Sequence, residues 1–176
     1  MSPKVTLYIP CRTYGRYLTQ AIESVVNQTF TAWELWIIDD GSTDETSAVA
    51  GAFGKRFPEK IHVLRHEEPR ALAACANEAL RRARGEYLIR LDADDYLDEN
   101  ALLVMTHYLD THPTTGLVFP NYTYVDEKGK FLGQEHRRKI GKEVRTLHLP
   151  AHGAGAMVRT EILRRVGGYG EKYGAQ

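Results

Sequence analysis

Cysteine is scarce: Cys11 and Cys75 are the only two in 176 residues. Two thiols cannot staple a disulfide scaffold, and they suit a reducing compartment. Cys11 has no partner at metal-ligand spacing and reads as a small buried residue. Long apolar runs are missing, and none approaches the roughly 20 residues of a membrane-spanning helix. Excess charge of either sign is missing too. Lys plus Arg and Asp plus Glu each number 23, so the chain carries no net charge and no general attraction to nucleic acid or an anionic membrane. The opening MSPKVTLYIP has no signal-peptide pattern and runs straight into a strand-like segment. There is no internal repeat, no low-complexity tract and no Gly/Ser linker. Three chemical signatures are absent as well: a G-x-G-x-x-G dinucleotide fingerprint, a phosphate-binding P-loop, and an H-E-x-x-H among the seven histidines.

What remains is an ordinary globular composition, 43% hydrophobic and 26% charged, at the length of about one domain. The first half alternates two periods. Val5 to Ile9, Glu34 to Ile38, Ile61 to Leu64 and Tyr87 to Leu91 read as strands. Between them, Tyr17 to Gln28 carries Leu18, Ala21, Ile22, Val25 and Val26 at helical spacing, and Leu72 to Ala83 carries a second such stripe. Ser42 and Glu45 have capping-box spacing, which starts a helix there and runs it toward Arg56. Gly85 suits the C′ position of the third helix. This β-α-β alternation predicts a mostly parallel sheet with helices on both faces and right-handed crossovers.

After a helix near Glu99 to Leu109 the pattern changes. Gly116 to Pro120 reads as a strand. Tyr122 to Val125 and Lys130 to Leu132 flank Asp126-Glu127-Lys128-Gly129 as a hairpin. Ala154 to Val158 is a small-residue strand before a short helix and Gly167-Gly168. The second half is expected to form a smaller mixed or antiparallel subregion of one domain.

Ligands of such sheets bind outside the carboxyl ends of the strands. Two acidic runs fall at those ends, Asp39-Asp40 and Asp92-Ala93-Asp94-Asp95, and are expected to converge on one crevice. Crowded carboxylates repel, and a divalent cation relieves that repulsion. If the strand stays extended, Asp92 and Asp94 face the same way. The plain alternative is a solvated acidic turn, with Asp95 or Asp98 capping the next helix. For the first run, Gly41, Ser42 and Asp44 are explained by a turn and a helix start. Asp39 is not, and a nucleobase N–H or ribose hydroxyl would satisfy it. Arg70 lies at the same sheet edge, His152 precedes the glycine-rich Gly153-Ala154-Gly155, and Arg137, Arg138 and Lys139 could meet phosphate.

These residues together resemble the family 2 glycosyltransferases of the GT-A fold. The resemblance rests on Ile9-Pro10, Tyr17-Leu18, Ile22-Glu23-Ser24-Val25, Gln28-Thr29-Phe30, and Trp33-Glu34-Leu35 through Asp44. It continues with Ala73-Ala74 to Asn77, Ala83 to Tyr87, Leu91 to Asp95, and Val166-Gly167-Gly168-Tyr169. It implies a Rossmann-like parallel sheet flanked by helices. Within one catalytic domain over 1–176, residues 1–100 would bind nucleotide and 101–176 begin the acceptor half.

The resemblance further implies transfer of a sugar from a nucleotide-diphosphate donor, a UDP-sugar in the first instance, to a hydroxyl of a glycan or lipid-linked acceptor. Inversion at the anomeric carbon and a role in polysaccharide or cell-envelope glycan synthesis follow. Pro10, Arg12, Asp39, Arg70 and Asp92 would hold the nucleotide. Asp94, with Asp92, would hold Mn²⁺ or Mg²⁺. The general base is expected beyond Gln176, since Glu171 stands too close to Gly168. That gap keeps a rival open: a nucleotide-sugar-binding module without turnover. A phosphatase using Asp92 as nucleophile fits less well, because its strand would be expected first rather than fourth. The expected location is cytoplasmic, at the inner face of the membrane, with peripheral association carried by regions outside this chain.

Overall fold

The computed structural model describes residues 2–135 and 154–171. The chain runs β1 (Val5–Cys11), α1 (Gly15–Val26), β2 (Trp33–Asp40), α2 (Thr46–Arg56), β3 (Ile61–His66), α3 (Ala71–Arg82) and β4 (Tyr87–Arg90). Then follow α4 (Ala101–Thr111), β5 (Leu117–Val118), β6 (Tyr122–Val125), β7 (Phe131–Glu135), β8 (Met157–Arg159) and α5 (Thr160–Arg165).

The main sheet has the order β3-β2-β1-β4-β8-β5, and β6 pairs with β7 in a separate hairpin. The first four strands are mutually parallel. β8 and β5 join by antiparallel pairing. The GT-A expectation of a mostly parallel sheet with a small antiparallel part is borne out.

β1 reads as an almost continuous buried run because both of its faces are covered. Leu7, Ile9, Leu35 and Ile37 pack with α1, α2 and α4 on one side. Tyr8, Ile38 and Leu88 pack with α3, Leu163 and Tyr169 on the other. The chain steps from β1 outward to β2 and β3, then returns to place β4 on the other flank of β1. The gap between the carboxyl ends of β1 and β4 is therefore the switch point where such sheets open a crevice.

Three local expectations are corrected. Ser42 does not cap α2, and the Ser42/Glu45 capping box does not form. Its Oγ accepts the Thr13 N–H at 3.0 Å instead. Asp44 Oδ1 takes the Thr46 N–H at 3.1 Å, while Asp44 Oδ2 takes the Gly15 N–H at 3.0 Å and Thr46 Oγ1 takes the Tyr14 N–H at 3.1 Å. The loop after β1 leaves three N–H groups without a ladder partner, and the Ser42–Thr46 side chains satisfy them. Gly85 is not a left-handed C′ residue either. A Cβ there would lie 2.5 Å from the Thr6 nitrogen, so glycine is required by close backbone approach. Finally, β4 stops at Arg90, and residues 92–95 close a turn with Asp95 N–H donating to Asp92 O at 3.1 Å. Strand alternation does not set the direction of Asp92 and Asp94.

The hairpin forms where expected, with the Asp126 carboxylate accepting the Lys128 and Lys130 N–H groups at 2.9 Å. β8 and β5 are shorter than their sequence patterns suggested. The basic run Arg137, Arg138 and Lys139, and His152, lie outside the described residues.

Candidate functional site

An open cavity of about 710 Å³ sits at the switch point. Pro10, Cys11, Arg12 and Tyr14 enter it from the end of β1, and Arg90, Asp92, Ala93 and Asp94 from the end of β4. Asp40 enters from the end of β2, and Pro69, Arg70, Ala71, Leu72 and Cys75 from the start of α3. Five of the six residues named from the sequence line this cavity: Pro10, Arg12, Arg70, Asp92 and Asp94. The two acidic runs do converge.

Asp39 is the exception. It is 0% exposed, and it does not line the cavity. Its Oδ1 accepts the Ser42 N–H at 2.9 Å and its Oδ2 the Ser47 hydroxyl. Side chains alternate along a strand. In β2 this sends Asp39 to the side of Ile37 and α2, and Asp40 to the side of Ile38 and α3. Asp40 is thus the carboxylate at the cavity.

Asp40 is held from several directions. Its Oδ1 accepts the Arg70 N–H at 2.8 Å and faces His66 Nδ1 at 2.6 Å, and its Oδ2 accepts the Ala71 N–H at 3.0 Å. Burial alone would raise its pKa. The hydrogen bonds from His66 and from the Arg70 and Ala71 amides outweigh that, and the carboxyl sits below its ordinary value. Ala71 adopts φ +69°, a left-handed backbone that costs a β-carbon residue about 1–2 kcal/mol. The strain is local to the turn that aims two amides at Asp40.

At the other wall, Arg90 forms a two-pronged bond to Asp92, with Nε on Oδ1 at 2.6 Å and Nη2 on Oδ2 at 2.8 Å. Arg90 was not singled out from the sequence; its place two residues before Asp92, at a strand end, was the available signal. Asp94 is exposed and makes no hydrogen bond or ion pair among the described residues. A free carboxylate beside a second one is a fitting donor set for a hard divalent cation. Among the described residues Arg12 has no hydrogen-bond or ion-pair partner, and the Arg70 guanidinium meets Glu78 alone, at 3.4 Å, so two arginines that line the cavity keep free donors. Such groups match phosphate oxygens in geometry and charge.

The Gly167-Gly168-Tyr169 segment is fixed from α3. Asn77 Oδ1 accepts the Tyr169 N–H at 2.8 Å, and Asn77 Nδ2 donates to Tyr169 O at 2.9 Å and to Glu171 Oε1 at 2.8 Å. Glu171 does not line the cavity. The Tyr169 and Tyr8 hydroxyls are hydrogen-bonded to each other, within the electrostatic influence of Arg90.

A mostly parallel sheet with a crevice at its β1/β4 switch point, lined by guanidinium groups and a carboxylate turn, is a GT-A architecture. Residues 6–167 match the family model "Glycosyl transferase family 2", and the chain belongs to that family. It is 28% identical to the chondroitin synthase of Escherichia coli over 138 residues, 78% of this chain and 20% of that protein. Among solved structures, it superposes on S. aureus TarS in complex with UDP with a TM-score of 0.77, 22% identity, and coverage of 98% of this chain and 52% of that one. It superposes on the mannosyltransferase PcManGT from Pyrobaculum calidifontis, in complex with GDP-Man and Mn²⁺, with a TM-score of 0.74 at 22% identity, covering 97% of this chain and 48% of that one. The chain spans less than half the length of the curated relatives it matches. No helix among the described residues is long and apolar enough to cross a membrane.

Proposed function

We propose that this chain is the donor-binding part of a glycosyltransferase that moves a sugar from a nucleotide diphosphate, a UDP-sugar in the first instance, to an acceptor hydroxyl in polysaccharide or cell-envelope glycan synthesis. The observation that carries this reading is the cavity that joins Asp40, Arg12, Arg70 and the Asp92–Asp94 turn at one switch point. Asp40, aimed by the Arg70 and Ala71 amides, accepts from the nucleoside. Pro10 and Arg12 flank the base, and Arg12 and Arg70 face the diphosphate.

Asp94, with Asp92 beside it, would hold Mn²⁺ or Mg²⁺. Bound there, such an ion would neutralise the charge that builds on the diphosphate leaving group. The guanidinium groups of Arg12 and Arg70, which line the same cavity, would do the same. The sugar's anomeric carbon is attacked in line by the acceptor oxygen and its configuration inverts. The glycosidic bond forms as the bond to the diphosphate breaks. The acceptor's proton passes to a carboxylate acting as general base, and the acceptor is a glycan or a lipid-linked sugar.

The test is a thermal-shift panel of UDP, GDP, ADP and CDP, each with and without Mn²⁺. Ligand at about 100 times its dissociation constant adds roughly 2.7 kcal/mol of stability. A shift with one nucleoside diphosphate that grows with Mn²⁺ is expected. No shift with any of them overturns the reading. Binding without sugar transfer by the full-length protein would make it a nucleotide-sugar-binding module instead.

A further inference from the structure

Asp40, His66 and Cys75 place one ligand atom each within 4.8 Å of one another, and all three residues are buried. They come from three elements: the ends of β2 and β3 and the second turn of α3. His66 presents Nδ1 to Asp40 Oδ1 at 2.6 Å, and the Cys75 thiol is hydrogen-bonded to the same carboxylate. His66 Nε2 is buried with no hydrogen-bond partner among the described residues. Asp40 and Cys75 line the cavity floor, so the cluster has an open side.

From this geometry we infer a second cation site, distinct from the Asp92–Asp94 turn, that takes a borderline-soft divalent ion of the zinc class through Asp40, His66 and Cys75. The donor chemistry separates the two sites. The Asp92–Asp94 turn offers oxygen alone, which suits Mg²⁺ and Mn²⁺. One thiolate, one imidazole and one carboxylate are the ligands zinc prefers. The fourth position faces the cavity and is left to water.

Charge balances: a dication meets the Asp40 carboxylate and the Cys75 thiolate, so the buried site ends neutral. Protons balance as well. The Cys75 thiol proton leaves to solvent; the His66 imidazole, which donates from Nδ1 to Asp40 in the metal-free protein, gives up that proton when Nδ1 binds the ion and carries its one remaining proton on Nε2. The Arg70 and Ala71 amides orient Asp40 from behind. Among the described residues His66 has no such support at Nε2, and outer partners are typically worth 10–100-fold in metal affinity. The site is therefore exchangeable and regulatory rather than a structural zinc centre. Its consequence rests on the transferase reading. An ion on Asp40 removes the carboxylate that accepts from the nucleoside, so zinc excludes the donor.

The experiment uses Co²⁺ as a spectroscopic stand-in for zinc. Thiolate ligation gives a sulfur-to-cobalt charge-transfer band that oxygen sites cannot give. One equivalent of Co²⁺ is expected to produce that band, and one equivalent of Zn²⁺ to abolish it. The band is expected to vanish in Cys75→Ser, to weaken at least tenfold in apparent affinity in His66→Gln, and to persist in Cys11→Ala and Asp94→Ala. Circular dichroism of each variant confirms folding. Absence of the band in the folded parent, or its survival in folded Cys75→Ser, overturns the site. Binding of UDP with Mn²⁺ is measured separately on the same samples with and without Zn²⁺. If the band behaves as expected but UDP does not bind at all, the metal site stands and the nucleotide reading fails. If UDP binds and no band appears, the reverse holds.

Discussion

Arg90 and Asp92 face each other across two hydrogen bonds at 2.6 and 2.8 Å. A cation that recruits Asp92 must compete with that guanidinium. The pair is partly exposed, with side-chain exposures of 20% and 31%. It falls between an exposed ion pair, worth at most about 1 kcal/mol, and a buried charged hydrogen bond, worth about 1.5–3 kcal/mol. A value of about 1.4 kcal/mol corresponds to tenfold in an equilibrium constant. The Arg90→Met variant keeps the aliphatic stem and removes the competitor. Mn²⁺ affinity in the absence of nucleotide should therefore tighten about tenfold, while stability falls by about 1 kcal/mol. Free Mn²⁺ is read directly by electron paramagnetic resonance during titration, and stability by urea denaturation. The double variant Arg90→Met/Asp92→Asn should lose the gain, since the freed carboxylate is then gone. Unchanged or weaker Mn²⁺ binding in a folded Arg90→Met would show that Asp92 never turns toward the ion.

Other perturbations follow from the same contacts. Ala71→Gly relieves the φ of +69° and, after the larger entropy of unfolded glycine, should raise stability by about 0.5–1 kcal/mol in urea melts. Gly85→Ala puts a Cβ 2.5 Å from the Thr6 nitrogen and should cost about 1–3 kcal/mol, read as a lower urea midpoint with unchanged slope. Asp40 has a folded pKa below its ordinary value of about 3.9, so it contributes stability above that value and loses it as pH falls through the depressed one. Asp40→Asn should therefore flatten the fall in stability below about pH 4; an equally steep fall would remove Asp40 from the acid response.

The parallel half of the fold was legible because β1, β2 and β4 are buried on both faces and so read as continuous apolar runs. The antiparallel entry of β8 was not. Met157 to Arg159 carries no mark of strand direction, and its neighbours β4 and β5 are set by tertiary pairing. The cavity itself could be placed from two acidic strand ends, yet the choice between Asp39 and Asp40 depended on side-chain parity. Counting from the buried Ile37 and Ile38 would have shown which residue shares the α3 face, once the faces were known. The Ser42–Thr46 run was misread for a different reason. Its pattern matches a helix cap, but the loop after β1 competes for the same oxygens and takes them. The Asp40, His66 and Cys75 cluster had no sequence signature, because its members lie 26 and 9 residues apart on three separate elements.

The most direct test of the donor site is calorimetric titration of UDP into the parent and Asp94→Ala, each with and without Mn²⁺. Asp94 makes no contact among the described residues that the fold requires. Removing it should leave unfolding unchanged, leave metal-free UDP binding in place, and abolish the enhancement by Mn²⁺. UDP binding in Asp94→Ala that Mn²⁺ still strengthens as in the parent would contradict the placement of the metal. Absence of UDP binding to the parent would contradict the nucleotide site itself.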